Sequence, residues 1–216
     1  SDYLTIIESM EESVIELNKL KLESWVNEAN LFYFSVAFYL LAFILLGLSW
    51  MTQPKWLHLS SAVLLVIGFL YHAYGIYLRM VIMGRPPVST LYETVLFVGL
   101  TVVTCSVILE FVRRDGLGLF IGTVAGSLLH YIGFGYAADG DTLGMLVAVL
   151  NSNFWLATHV TCVTLGYGLS LVAGSIGHLY LIHMIRSPKN KTLLNNINKN
   201  LFGITLIALF FTLFGT

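Results

Sequence analysis

Charge is what this sequence has least of. Lys, Arg, Asp and Glu together make up 11% of its 216 residues, against roughly 25% in a soluble domain. Such a chain cannot cover a globular surface with charge, which excludes an ordinary soluble enzyme. With 57% hydrophobic residues it is not a disordered protein either. Cysteine is scarce as well: there are two, which excludes a disulfide-stapled scaffold. They form no Cys-x-x-Cys pair, so dithiol redox chemistry has no support. Cys105 and Cys162 are expected at opposite ends of helices three and five, too far apart to bond, as core residues. A net charge of −1 gives no basic surface for a nucleic acid. Catalytic triads, carboxylate pairs, Walker loops and zinc clusters have no counterpart here. The chain opens on Ser1 without a signal-peptide pattern. Its last apolar run, Leu201–Thr216, is 16 residues long, short of the roughly 20 that a spanning helix needs. The chain therefore reads as a piece of something longer, cut at both ends.

What remains is apolar sequence in long runs, with a mean hydropathy of +0.82. These are Leu31–Trp50, Trp56–Met80, Leu91–Val112, Leu117–Ala138, Trp155–Ile185 and a sixth from Leu201. Each complete run is long enough to span a bilayer, where helices satisfy their own backbone groups. The fold class is thus an all-α membrane bundle of about six helices. Residues 1–30 stand apart. Seven acids face Lys19 and Lys21, and Ile6, Met10, Val14, Leu17 and Leu20 recur near helical spacing. They read as an acidic amphipathic helix on a membrane surface or a neighbouring domain, or as a linker, before a transmembrane domain over 31–216. Lys55, Arg113, Arg114, Arg186, Lys189, Lys191 and Lys199 fall in one set of loops, and Arg79 and Arg85 in the other. By the positive-inside rule the first set faces the cytoplasm or its equivalent. The N-terminus, the 81–93 loop and the 139–156 loop then face outward, and Arg186 to Lys199 is a basic polar connection.

Ionisable groups inside a membrane are costly, so they are the candidates for function. His159 sits at the outer mouth of helix five, where a neutral imidazole can bind haem iron. Trp155, one turn earlier, can lie against a porphyrin face. The alternative is an ordinary interfacial His and belt Trp. His72 and His130 lie eight residues before the outer ends of helices two and four, about 12 Å deep at 1.5 Å per residue. At one level they can sandwich a b-type haem, or each can simply bond a neighbouring helix. Arg79 and Arg85 flank the loop before Pro86 and Pro87, where guanidinium groups can pair with propionates or phosphates, or snorkel to the interface. Glu93 reads as a helix cap. His58, His178 and His183 read as structural. Gly166, Gly168, Ser170, Gly174 and Gly177 on helix five read as close-packing positions.

Two stretches carry a resemblance. Gly84-Arg-Pro-Pro-Val-Ser-Thr-Leu-Tyr-Glu93 resembles the G-x-x-P-[LV]-S-N-L-Y-E signature of the CcsA/ResC family, departing from it at Thr90. The segment from Leu150 through Asn151-Ser-Asn-Phe-Trp-Leu-Ala-Thr-His159-Val to Tyr167 resembles that family's L-x-S-x-W-L-x-x-H-V segment. The resemblance covers roughly residues 57–216. The resemblance implies a System II cytochrome c synthase, as a separate chain or a fragment of a fused CcsBA. It implies haem b held at the outer membrane face by His159 and a second histidine beyond this sequence, beside a Trp-rich segment that this sequence lacks. It further implies thioether formation with an apocytochrome c bearing Cys-x-x-Cys-His, a CcsB-like partner or fused domain, and a bacterial inner or thylakoid membrane. Membrane lipids complete the expected partners. A haem exporter using His72 and His130, a b-type electron-transfer subunit and a structural scaffold are the competing readings.

Overall fold

The computed structural model describes residues 21–26, 28–52, 55–138, 156–187 and 190–215. Their regular structure is helical: α1 (Leu31–Thr52), α2 (Lys55–Met83), α3 (Leu91–Arg113), α4 (Leu117–Ala138), a π-helical turn (Leu156–Val160), α5 (Thr161–Arg186) and α6 (Lys191–Phe214). All six α-helices are long and apolar enough to cross a membrane. The surface supports the same conclusion. Tyr33, Ile44, Leu70, Ile108, Tyr131, Leu171, Ile185 and Phe202 are exposed, whereas Ser35, Ser61, Ser106, Thr123 and Thr164 are buried. A bundle more apolar outside than inside suits lipid as its solvent. The protein is an all-α, multi-pass membrane protein. Of the acidic N-terminal segment, residues 21–26 are helical, and residues 1–20 lie outside the described residues.

Helix α3 is the central element. It packs along α4 and against α5, while α1 packs along α2 and α4, and α6 lies along α5. Val98, Val102 and Leu109 of α3 meet Val172 and Ile176 of α5 and Ile197 of α6. On its other side Val103 joins Tyr39, Ala42 and Leu46 of α1, Leu65 of α2 and Leu119 of α4. Close approach is built into α4 by Gly118, Gly122 and Gly126, four residues apart. A Cβ on Gly118 would overlap the Ser106 carbonyl oxygen of α3, and one on Gly122 would lie 3.0 Å from Ser106 Cβ. This is small-residue packing of membrane helices.

The structure corrects the sequence expectations in three places. The sixth helix starts at Lys191, not Leu201, so most of the expected polar connection is helix. Asn190 caps it, its side chain accepting from the Leu193 N–H, and Leu193, Ile197 and Leu201 turn inward against the α3–α5 core. Helix two runs three residues further, to Met83, and stops where Gly84 adopts φ +62°. On helix five, Gly166 and Gly168 face Thr212 and Thr101, but Gly174 and Gly177 face open space. The close-packing glycines are shared among α2 (Gly68, Gly75), α4 (Gly118, Gly122, Gly126) and the start of α5 (Gly166, Gly168).

Candidate functional site

The end of the bundle that carries the 84–90 loop also carries the π turn. Gly84 ends α2 and Thr90 starts α3 with extended backbone, its hydroxyl accepting from the Glu93 N–H at 3.2 Å. Glu93 turns back to accept from the Ser89 N–H at 3.1 Å. Together the two bonds close the start of α3 in a variant of the capping box, with Glu93 reaching the residue before the cap. Threonine caps helices much as asparagine does, so Thr90 serves the position where the family motif has Asn. Glu93 is also more than the cap expected of it. It is 2% exposed and pairs with Arg79 at 3.4 Å. The Arg79 guanidinium in turn lies over the Tyr92 ring, 4.9 Å from its centre. Arg79 therefore points inward and ties α2 to α3 rather than snorkelling to the interface. Arg85 is half-buried in the 84–90 loop.

Deeper in the bundle the two histidines meet. His72 lies eleven residues before the end of α2 and His130 eight before the end of α4, yet their ring centres are 4.2 Å apart, edge to face. Both are fully buried. Tyr39 of α1 completes the group. Its ring lies between Gly68 of α2 and Gly126 of α4, each of whose Cβ positions would fall under 3 Å from it. His72 Nε2 faces the Leu96 carbonyl at 3.0 Å, so it carries the proton. His72 Nδ1 then accepts from the Tyr39 hydroxyl at 3.2 Å. His130 Nδ1 donates to the Gly126 carbonyl at 2.8 Å, and its Nε2 has no hydrogen-bond partner among the described residues. The donor chemistry there is that of a metal ligand: a neutral imidazole with a bare lone pair. The space is not. A bis-histidine haem needs its porphyrin between the two rings, and these rings touch, with His72 using both nitrogens elsewhere. A haem does not fit between His72 and His130 as they are packed, and that disfavours the electron-transfer reading, which needs one there.

His159 is arranged differently. It lies in the π turn that leads into α5, exposed, and no hydrogen bond to its ring occurs among the described residues. Its carbonyl is beside Gly215 at the end of α6. An exposed imidazole with both nitrogens unengaged fits an axial haem ligand, and single-turn π-helices are frequent at functional positions. Trp155 lies outside the described residues. His178 donates to the Gly174 carbonyl at 2.7 Å. No group of three or more potential metal ligands occurs among the described residues.

Sequence reasoning missed Glu110. This carboxylate, near the last turn of α3, accepts from the Gly116 N–H at 3.1 Å, from the Leu119 N–H at 3.4 Å and from His58 Nε2 at 2.9 Å. It clamps the three-residue turn into α4 and draws α2 onto both helices. Glu110→Ala leaves the buried Gly116 and Leu119 donors unpaired and should destabilise the bundle by about 3 kcal/mol. Glu110→Gln should cost about 1 kcal/mol, as it keeps one acceptor. Unfolding in mixed detergent micelles measures both, and equal losses would show that the carboxylate's acceptor capacity is immaterial.

Comparison with known proteins bears on the family resemblance of these motifs. The chain is 27% identical over 167 residues to a cytochrome c biogenesis protein CcsA of Trichormus variabilis, covering 77% of this chain and 46% of that one. It is 30% identical over 155 residues to a protein of the same description from Coffea arabica, covering 68% and 46%. The chain is a relative of CcsA. It is also 27% identical over 152 residues to protein NrfI of Wolinella succinogenes, covering 66% of this chain and 16% of that one. It spans less than half the length of each of these three proteins. No family model matches the chain.

Proposed function

We propose that this CcsA relative is the membrane portion of a cytochrome c synthase, which holds haem b at the outer membrane face for attachment to an apocytochrome c. The observation that carries the reading is His159: exposed, unengaged and set in a π turn at the mouth of α5, within the stretch that resembles the CcsA motif. The names of the relatives support a role in cytochrome c biogenesis. Orientation follows from charge. Lys55, Arg113, Arg114, Arg186, Lys191 and Lys199 lie at one end of the bundle, which the positive-inside rule puts on the cytoplasmic side or its thylakoid equivalent. The His159 end is then the outward face, in a bacterial inner or a thylakoid membrane.

In this reading His159 would hold the haem iron through a neutral ring nitrogen, together with a second histidine outside this sequence. When bound, haem supplies two vinyl groups, across each of which a Cys-x-x-Cys-His thiol adds its S–H to form a thioether with no leaving group. The chain's own task is to position and present. The Arg79–Glu93 pair and the Thr90 cap fix the 84–90 loop at the same end of the bundle as the π turn, and Arg85 of that loop would pair with a propionate. A CcsB-like protein or fused domain completes the assembly.

The test is coexpression of the full-length protein with an apocytochrome c carrying Cys-x-x-Cys-His, in cells lacking other cytochrome c synthases. Haem covalently bound to the cytochrome is the expected product, lost when both substrate cysteines are serine. Purified protein without Soret absorbance, together with no covalent product, would overturn the reading. A second reading, haem passing through the bilayer by way of His130, draws on its bare Nε2 lone pair. It requires the His72–His130 contact to open. His130→Ala should then lower the Soret absorbance of the purified protein while His159→Ala leaves part of it, and unchanged absorbance in His130→Ala excludes this route.

A further inference from the structure

At the opposite end of the bundle from His159, α2 and α3 diverge. These two neighbours touch far less than α3 and α4 do, and a cavity of about 350 Å³ opens between them. Its walls are apolar: Leu59 and Val66 from α2, Val107 and Phe111 from α3. Its mouth is cationic, framed by Lys55 at the start of α2 and Arg114 just past the end of α3. Both are exposed. Arg114 is set there by a left-handed backbone, φ +57°, with its N–H returned to the Glu110 carbonyl at 2.8 Å. A non-glycine residue in that conformation carries a backbone cost.

The other ionisable groups of the cavity are His58 and Glu110. Glu110 is the one acid, and its carboxylate is already engaged by the Gly116 and Leu119 N–H groups and by His58. The two cations at the mouth meet no acid within salt-bridge distance among the described residues. Arg113, by contrast, is paired with Asp115 at 2.6 Å. The cavity thus has an apolar interior facing the lipid and two positive charges without an acidic partner among the described residues at the membrane–water boundary, Arg114 lying over the Phe111 ring at 5.8 Å.

We propose that this groove binds an anionic glycerophospholipid, one acyl chain lying between α2 and α3 and the phosphate held between Lys55 and Arg114. A phosphate needs charge-assisted donors at the boundary, which Lys and Arg supply as point charge and fork. A chain needs a lipid-accessible apolar slot. Basic pockets between membrane helices recognise anionic head groups in this way. The site rests on neither the haem reading nor the facing of the bundle, since charge and shape alone define it.

The test uses the full-length protein, delipidated in neutral detergent and then titrated with phosphatidylglycerol or phosphatidylcholine while bound lipid is counted by native mass spectrometry. Phosphatidylglycerol should be retained in preference to phosphatidylcholine. The double variant Lys55→Gln/Arg114→Gln should lose about thirtyfold in phosphatidylglycerol affinity, from about fivefold per cation removed. Val107→Trp, which fills the slot and keeps the charges, should lose the retained lipid too, with circular dichroism confirming its fold. Lys55→Arg should bind as the parent does. Equal retention of both lipids, or phosphatidylglycerol binding unaffected by the double variant, overturns the proposal. So does a Soret shift on haem titration that disappears in the double variant, which would make the groove a porphyrin site.

Discussion

Gly118→Ala is expected to destabilise the bundle by about 3 kcal/mol, although it adds only one methyl group and installs the best helix-forming residue. The added Cβ would overlap backbone atoms of α3, the Ser106 carbonyl oxygen and the Glu110 nitrogen. No rotamer change can relieve a backbone clash, so α4 must move away along its closest contact. That movement lengthens the Leu119 N–H contact to Glu110, which is already 3.4 Å, and loosens the Leu119 and Val103 packing. Gly118→Leu should give no folded protein. Gly174→Ala on α5 is the matched control, as nothing lies within 4 Å of its Cβ position, and it should leave stability unchanged or slightly raised. Reversible unfolding in mixed micelles distinguishes them. Equal behaviour of Gly118→Ala and Gly174→Ala would mean that the α3–α4 contact is not as close as described.

His159→Ala should have the opposite profile, with a large effect on function and almost none on folding. The ring is exposed and makes no hydrogen bond among the described residues, so its removal should shift stability by no more than about 0.5 kcal/mol. If it is an axial ligand, the yield of covalent cytochrome c should fall at least about tenfold. Second-shell changes around metal sites already cost that much. His178→Ala, at an exposed position on the helix that follows the π turn, should leave the yield unchanged. A His159→Ala protein of normal yield and normal Soret band would remove the proposed role, and a destabilised one would make the residue structural.

The helix count was legible because a spanning helix must be apolar over about 20 residues, and the runs from Leu31 to Ile185 each satisfy that condition. The start of α6 was not. Lys191 to Asn200 reads as polar, and only packing reveals that Leu193 and Ile197 share a buried face. A shared level for His72 and His130 was legible, since helical rise converts residue number to distance, but the direct contact of their rings was not. The third member, Tyr39, could not be, because its place depends on which helices are neighbours and on two glycines that admit its ring. The Arg79–Glu93 pair escaped notice for the same reason: each residue had a sufficient local explanation, as snorkel and as cap. Glu110 was hidden by position. Beside Arg113 and Arg114 it reads as one more boundary charge, and its role appears only once the chain turns back through Gly116.

That turn bears on how the protein enters its membrane. Two of the groups that compensate the Glu110 charge, the N–H donors of Gly116 and Leu119, lie after it in the chain. An α3 released into lipid before α4 is synthesised would carry its carboxylate without them. With α4 joined by three residues, the charge is covered as soon as the first turn of α4 forms. The unit that partitions from the translocon is therefore the α3–α4 hairpin rather than either helix alone.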